Sequence, residues 1–227
     1  MNFDIISRDL SPEKAGKFGK YYEMLTEWNK MMNLTAITEP DEVALKHFAD
    51  SLTVMKYIDP SKPATLADVG SGAGFPGIPL KIMMPDLEVT LIDSLGKRVR
   101  FLEAVIGELK LDGIRAIHAR AEDAARKKQL REQFDYATAR AVAPMNILTE
   151  YCMPFVKTGG CFIAMKGPGE ERYENALKEL NGEVISDELF ALDSEGTITR
   201  RIICIRKTAP VSGKYPRRAG IPSSKPL

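Results

Sequence analysis

Behind the pair Ser11-Pro12, apolar residues recur every three to four positions at Phe18, Tyr22, Leu25, Trp28 and Met32. Serine before a first-turn proline is a helix start, and this spacing gives a helix one apolar face, so the pattern predicts a helix over about 12–32. A second amphipathic stretch, about 41–56, puts Ala44, Phe48, Leu52 and Met55 on one side. After "SKPA" the period changes. The runs "TLADV", "EVTLID", "IRAIHA", "DYATA" and "CFIAMK" are each followed by a loop and a helical stretch. Alternating strands and helices predict an α/β fold with a mostly parallel sheet covered on both faces. Beyond the helix-like "EERYENALKEL", the runs "EVISDELFAL" and "RRIICIRK" come without a helix between them. They make seven strands in all and predict an antiparallel hairpin closing one edge. The chain reads as one domain over residues 1–227, with a helical extension at 1–60, a sheet-bearing core at 64–207 and a tail at 208–227.

Composition narrows the class. No apolar run approaches the ~20 residues that span a membrane. The start "MNFDIISRDL" has no basic region followed by an apolar core, so the expected location is the cytoplasm. The three cysteines, in "EYCMP", "GGCFI" and "IICIR", lie in apolar runs without ligand spacing. They are expected to be buried thiols, and no metal is expected. Charge is distributed unevenly. Eight Lys or Arg and no Asp or Glu fall between Arg200 and Leu227, leaving 24 basic against 31 acidic residues before them. A basic end on an acidic body either solvates or binds a polyanion, and the prolines of "TAPVSGKYPRRAGIPSSKPL" make it an extended segment.

The loop after the first strand, "ADVGSGAGFPGIPL", carries the chemistry. In such sheets the first strand-to-helix turn cradles a ligand. A nucleoside triphosphate loop would end in Gly-Lys-Ser or Gly-Lys-Thr, which is absent. A pyrophosphate needs bare N–H groups at a helix start, and Pro76 and Pro79 crowd that turn. The remaining form, acidic-x-Gly-x-Gly-x-Gly, is supplied by Asp68, Gly70, Gly72 and Gly74. It suits S-adenosylmethionine, which brings an ammonium and a sulfonium in place of a diphosphate. Asp93 ends the second strand, where a carboxylate can accept from both ribose hydroxyls.

The segments "WNKMMNLTAI", "HFADSL", "DVGSGAGFPGIPLKI", "LIDSLGKRVRFLEAV", "RAE" at 120–122, "TARAVA", "KTGGCFIAMKG" and "YPRRAGIPSSKPL" resemble, in order and from about residue 28 onward, the bacterial 16S rRNA guanine-N7 methyltransferases. These are also called glucose-inhibited division protein B. The resemblance implies a class I, Rossmann-like methyltransferase fold, S-adenosylmethionine as donor, and 16S rRNA or the small ribosomal subunit as acceptor. It implies that Gly70 and Phe75 hold the donor, with Asp93 and Ser94 at its ribose, Ala121 and Glu122 at its adenine, and Arg140 close by.

The same residues have readings of their own. Guanine N7 carries a free lone pair, so methylating it needs placement rather than a base. Arg140 and Lys166 end strands and are the candidates for the reacting site, or else they pair with Asp68 or Glu122. Lys97, Arg98 and Arg100 open a helix, where cations oppose the dipole; an RNA phosphate would compensate them, unless they form a solvated basic turn. Tyr215, among Lys214, Arg217 and Arg218, is a candidate for base stacking, the alternative being a tail packed along the sheet. His47, beside Phe48, reads as structural. A monomer is expected. A small-molecule methyltransferase and a donor-binding regulator remain as rival functions.

Overall fold

In the computed structural model, which describes residues 1–7 and 10–227, the helix α1 (Pro12–Met32) begins as expected. The Ser11 hydroxyl accepts from the Lys14 N–H, and the helix ends at Asn33 in the left-handed conformation. Its buried face is Phe18, Tyr21 and Leu25. Tyr21, and not the expected Tyr22, points inward; the Tyr22 hydroxyl donates to the Thr38 carbonyl at the surface. The second helical stretch changes pitch as it goes. It comprises α2 (Pro40–Val43), a π-helical turn over Ala44–Ala49, α3 (Asp50–Leu52) and a 3-10 turn over Thr53–Tyr57.

The seven expected strands are present: β1 (Thr65–Val69), β2 (Glu88–Asp93), β3 (Ile114–His118), β4 (Phe134–Arg140), β5 (Val156–Lys166), β6 (Gly182–Ala191) and β7 (Thr199–Lys207). They form one sheet in the order β3-β2-β1-β4-β5-β7-β6. The pairings from β3 to β5 are parallel, and β7 is antiparallel to both β5 and β6. The edge hairpin is therefore as expected, with its reversed strand lying inside the rim strand β6. Burial follows position. Val89–Asp93 of β2 is buried throughout, whereas β6 alternates half-buried and exposed residues, as a strand with one neighbour and one covered face must.

Two apolar layers hold the sheet. On one face α1 and the second helical stretch pack with α4 (Gly77–Met83) and α5 (Gly96–Glu108) around Phe18, Phe48, Ile78 and Phe101. On the other, α6 (Ala121–Ala124), α7 (Met145–Cys152) and α8 (Glu174–Leu180) pack around Leu148, Phe155 and Leu180. Helix α8 starts four residues later than "EERYENALKEL" suggests, because Glu171 is turned back onto the Met145 N–H and Lys166. Cys152 and Cys204 are buried and Cys161 is half-buried, and all three are free thiols. Among the described residues no helix is long and apolar enough to cross a membrane.

The tail also belongs to the second layer. Val211 and Tyr215 are part of its core, and the last helix, α9 (Ile221–Ser224), lies against α7. This corrects the reading of Tyr215 as a stacking platform: the ring is 5% exposed and its hydroxyl donates to Glu179 at 2.7 Å. Two of the tail cations are spent in the same way. Lys214 pairs with Glu179, and Arg217 pairs with the fully buried Glu150. Just before the tail, Arg200, Arg201 and Lys207 pair with Asp50, Asp187 and Glu132. The acidic body thus neutralises five of the eight cations of its own basic end, and Arg206, Arg218 and Lys225 stay exposed without an ion pair among the described residues.

Candidate functional site

The chain leaves β1 toward β2 and β3 on one side and returns as β4 on the other, so the crevice beyond the carboxyl ends of β1, β2 and β4 is the expected ligand site. A cavity of about 400 Å³ lies there, within the range of small-ligand sites. Gly70, Asp93, Ser94, Ala121 and Glu122 line it together, as the resemblance implies.

The glycine loop shapes this cavity by staying thin. Gly70 has φ +74°, and a Cβ there would stand 2.6 Å from Val142 Cγ2. Gly74 has φ +96°, and its Cβ would meet the Tyr21 hydroxyl and Ile78. Tyr21 donates that hydroxyl to the Ala73 carbonyl, so α1 fastens the loop from below. The Asp93 carboxylate fastens it from the front, accepting from the Gly72 N–H and the Leu95 N–H at 2.9 Å each. Gly72 and Gly74 therefore shape the loop without lining the cavity.

Asp68 also acts beneath the loop. It is fully buried, one carboxylate oxygen accepts from the Gly77 N–H at 2.9 Å, and Oδ1 has no hydrogen-bond partner among the described residues. Burial pushes its carboxyl up to about 7. A cationic nucleoside fits these residues: two carboxylates in the wall, Asp93 and Glu122, a third orphaned under the loop, and a side-chain-free approach at Gly70.

A second cavity, of about 320 Å³, opens on the other side of the β4 end. Ala141 lines both cavities. It has φ +55°, a conformation that costs a non-glycine residue of order 1–3 kcal/mol and is retained mainly where function requires it. Arg140, Lys166, Asp50, His47 and Arg200 line the second cavity beside the apolar Met165. The alternative pairings of the strand-end cations, with Asp68 or Glu122, are corrected. Arg140 pairs with Asp50 at 3.0 Å and donates to the Lys46 carbonyl, while Lys166 pairs with Glu171 at 2.7 Å and donates to the Ala143 carbonyl. Asp68 and Glu122 lie under and across the first cavity, out of this network.

The Phe75 side chain packs toward the N-terminal helices. Its ring is buried under the second cavity, stacked on His47 with centroids 4.6 Å apart, and the Arg140 guanidinium sits 4.9 Å above it. It supports the second cavity and does not wall the first. His47 is more than a core residue: Nε2 meets the Thr35 hydroxyl at 2.8 Å and Nδ1 meets Arg140 at 3.2 Å. Nδ1 also lies 3.1 Å from the Lys46 carbonyl, which can only accept, so it stands between a donor and an acceptor. Burial, reinforced by Arg140, pushes His47 down to about 4.

That shift has a measurable consequence. Between pH 6.5 and about 4 the unfolded chain protonates this histidine and the native chain does not, so its contribution to stability falls as the pH falls, by at most about 3 kcal/mol, and is level below that window. Asp68, raised to about 7, works in the opposite sense over an overlapping range. The comparison of wild type with His47→Gln in urea unfolding cancels Asp68, and the difference should shrink from pH 7 to pH 4. A difference independent of pH would place His47 in water.

At the start of α5, Arg98 forms an ion pair with Asp93 at 3.6 Å. Lys97 and Arg100 are exposed and make no ion pair among the described residues. The sequence reading missed Asp50, Arg200 and Glu150. Asp50 and Arg200 are brought together from opposite ends of the chain at 3.0 Å, which no local pattern encodes. Glu150 had a signal, an acid inside the apolar run "NILTEYCMPF". The described residues contain no group of three or more His, Cys, Asp or Glu able to hold a metal.

A family model described as rRNA small subunit methyltransferase G matches residues 14–200. A protein of that name from Exiguobacterium sibiricum is 49% identical over 223 residues, covering 96% of this chain and 93% of its own. Another, from Halalkalibacterium halodurans, is 50% identical over 222 residues, covering 96% and 93%. Among solved structures, a SAM-dependent methyltransferase from Aquifex aeolicus superposes with a TM-score of 0.54 at 15% identity, over 76% of this chain and 96% of that one. A geranyl diphosphate C-methyltransferase from Streptomyces coelicolor gives 0.56 at 13%, over 70% and 79%. These two likenesses concern the fold alone.

Proposed function

The chain belongs to the rRNA small subunit methyltransferase G family, and from that premise we propose that it methylates N7 of a guanine in the RNA of the small ribosomal subunit. S-adenosylmethionine-dependent rRNA methylation is the activity of the family and of this chain. The observation that carries the finer reading is the pair of cavities that abut at Ala141. One suits the donor, the other a planar base.

Bound S-adenosylmethionine supplies an electrophilic methyl on a sulfonium. Asp93 and Ser94 hold the ribose hydroxyls of the donor, Ala121 and Glu122 face its adenine, and Gly70 leaves room for its approach. On the acceptor side Met165 offers an apolar face. Guanine presents O6 beside N7, so a cation there must pair with O6 and leave N7 bare. Lys166 and Arg140 are the two placed to do so. His47 is held neutral and tied to Thr35 and Arg140, which suits a reaction that removes no proton. Lys97, Arg100 and Arg218 are among the exposed cations available to RNA phosphates. Both cavities are lined by one chain, so a monomer working in the cytoplasm, where ribosomal subunits are made, is sufficient.

Two results are expected. Asp93→Ala weakens donor binding about 10-fold to 100-fold, the size of hydrogen bonds to a charged acceptor; calorimetry with a folded variant checks this, and unchanged affinity would remove Asp93 from the ribose. The single-turnover rate of methyl transfer to RNA stays level from about pH 7.5 to 9. A rate that climbs with pH across that range would show that a base removes a proton and would exclude N7.

A further inference from the structure

The closing motif "YPRRAGIPSSKPL" is not consumed by the reading above. Its exposed charges are few, and its middle reaches the donor cavity: Gly220 and Ser223 line it beside Glu122 and Tyr151. We propose that residues 217–224 form a wall of the methyl-donor pocket and position the donor at its adenine end, an inference that rests on reading the first cavity as the donor pocket.

Three observations place this wall. The Gly220 N–H donates to Glu122 Oε1 at 3.1 Å, which fixes one oxygen of the buried carboxylate and leaves the other without a protein partner among the described residues. A carboxylate so oriented can accept from an exocyclic amine of a purine. The Ser223 hydroxyl meets the Tyr151 hydroxyl at 2.9 Å and closes the same side of the cavity. Gly220 has φ +86°, a turn that a side chain resists, so the segment is bent toward Glu122 by its own backbone.

The wall is anchored immediately before it bends. The Arg217 backbone N–H and guanidinium both donate to Glu150, at 2.7 and 3.0 Å to Oε1. Arg126 donates to the Pro216 carbonyl, and Arg131 donates to the Tyr215 and Val211 carbonyls. A segment held at both backbone and side chain three residues upstream presents Gly220 at a fixed place. Glu122 is therefore not oriented by its own helix alone, and Gly220 and Ser223 act on the donor as positioning residues.

The test compares the full chain with a chain ending at Arg218, which keeps the Glu150 anchor, and with Ser223→Trp, whose ring replaces an exposed serine at the cavity wall. Calorimetry uses S-adenosylhomocysteine and methylthioadenosine, which share the adenine end and differ at the amino-acid end. Both variants should lose about tenfold or more in affinity, the size of one hydrogen bond to a charged group, and lose it equally for the two ligands, while Ser223→Trp without ligand keeps a melting temperature close to wild type. Affinity retained in both variants, with Asp93→Ala still weakened, would overturn the wall and leave the donor pocket standing. Affinity retained in Asp93→Ala as well would overturn the pocket assignment on which the wall rests. A loss confined to S-adenosylhomocysteine would move the segment to the amino-acid end and also overturn the proposal.

Discussion

Replacing Arg217 with alanine is expected to destabilise the protein by about 3–5 kcal/mol, the cost of leaving a buried charge unpaired. Glu150 is 0% exposed on α7, and Arg217 is the cation that meets both of its oxygens, with Nη2 at 2.5 Å from Oε2. For a chain of this size the loss corresponds to a melting temperature lower by roughly 6–20 °C. Urea unfolding of wild type, Arg217→Ala and Arg217→Lys measures it, and the lysine should recover part of the loss, since it keeps the charge and lacks the fork. A loss below about 1 kcal/mol together with weaker RNA binding would return Arg217 to the phosphate role that the sequence suggests.

Arg140→Ala should lower turnover about 100-fold or more while donor affinity changes less than tenfold. The guanidinium joins Asp50, the Lys46 carbonyl, His47 and the face of Phe75, and misplacing a reacting site by about 1 Å costs that much in rate. Stability should fall by about 2–3 kcal/mol, less than for an orphaned charge, because Arg200 still holds Asp50 at 3.0 Å. Arg140→Lys should regain the stability and little of the turnover. Single-turnover kinetics beside donor calorimetry separates the two effects. Equal losses in turnover and donor affinity would place Arg140 in the donor pocket itself.

The parts of this molecule that a local pattern encodes were legible. The strands came from short β-rich runs whose burial needs no partner information, and β1 and β2 lie where "TLADV" and "EVTLID" stand. Part of the wall of the first cavity was legible too, because Gly70 and Asp93 sit at or just beyond the carboxyl ends of strands that the topology brings together, whereas Ala121 and Glu122 were expected there from the family resemblance alone. The direction of the Phe75 ring was not legible, for a physical reason. The residue's position in the glycine loop is local, whereas the direction of its ring is set by Tyr21, His47 and Phe48 from the N-terminal helices.

The tail shows the opposite limit. Eight cations without an acid look like a polyanion site until the acids that meet five of them, Asp50, Glu132, Glu150, Glu179 and Asp187, are found on the rest of the chain. Charge counted along a sequence cannot see pairing across a fold, and ion pairs whose partners lie from 14 to 150 residues apart leave no periodic trace. The same reason hid the second cavity, whose walls come from the N-terminal helices, β4, β5 and β7.

Labelled methyl transfer from S-adenosylmethionine into small-subunit RNA, followed by chemical cleavage at N7-methylguanine, measures the proposed product directly. The label should enter the RNA, the cleavage should fall at a guanine, and Arg140→Ala should give little of either at a donor concentration that saturates both proteins. Label that enters RNA but resists N7 cleavage, or that appears only in small molecules, would contradict the account.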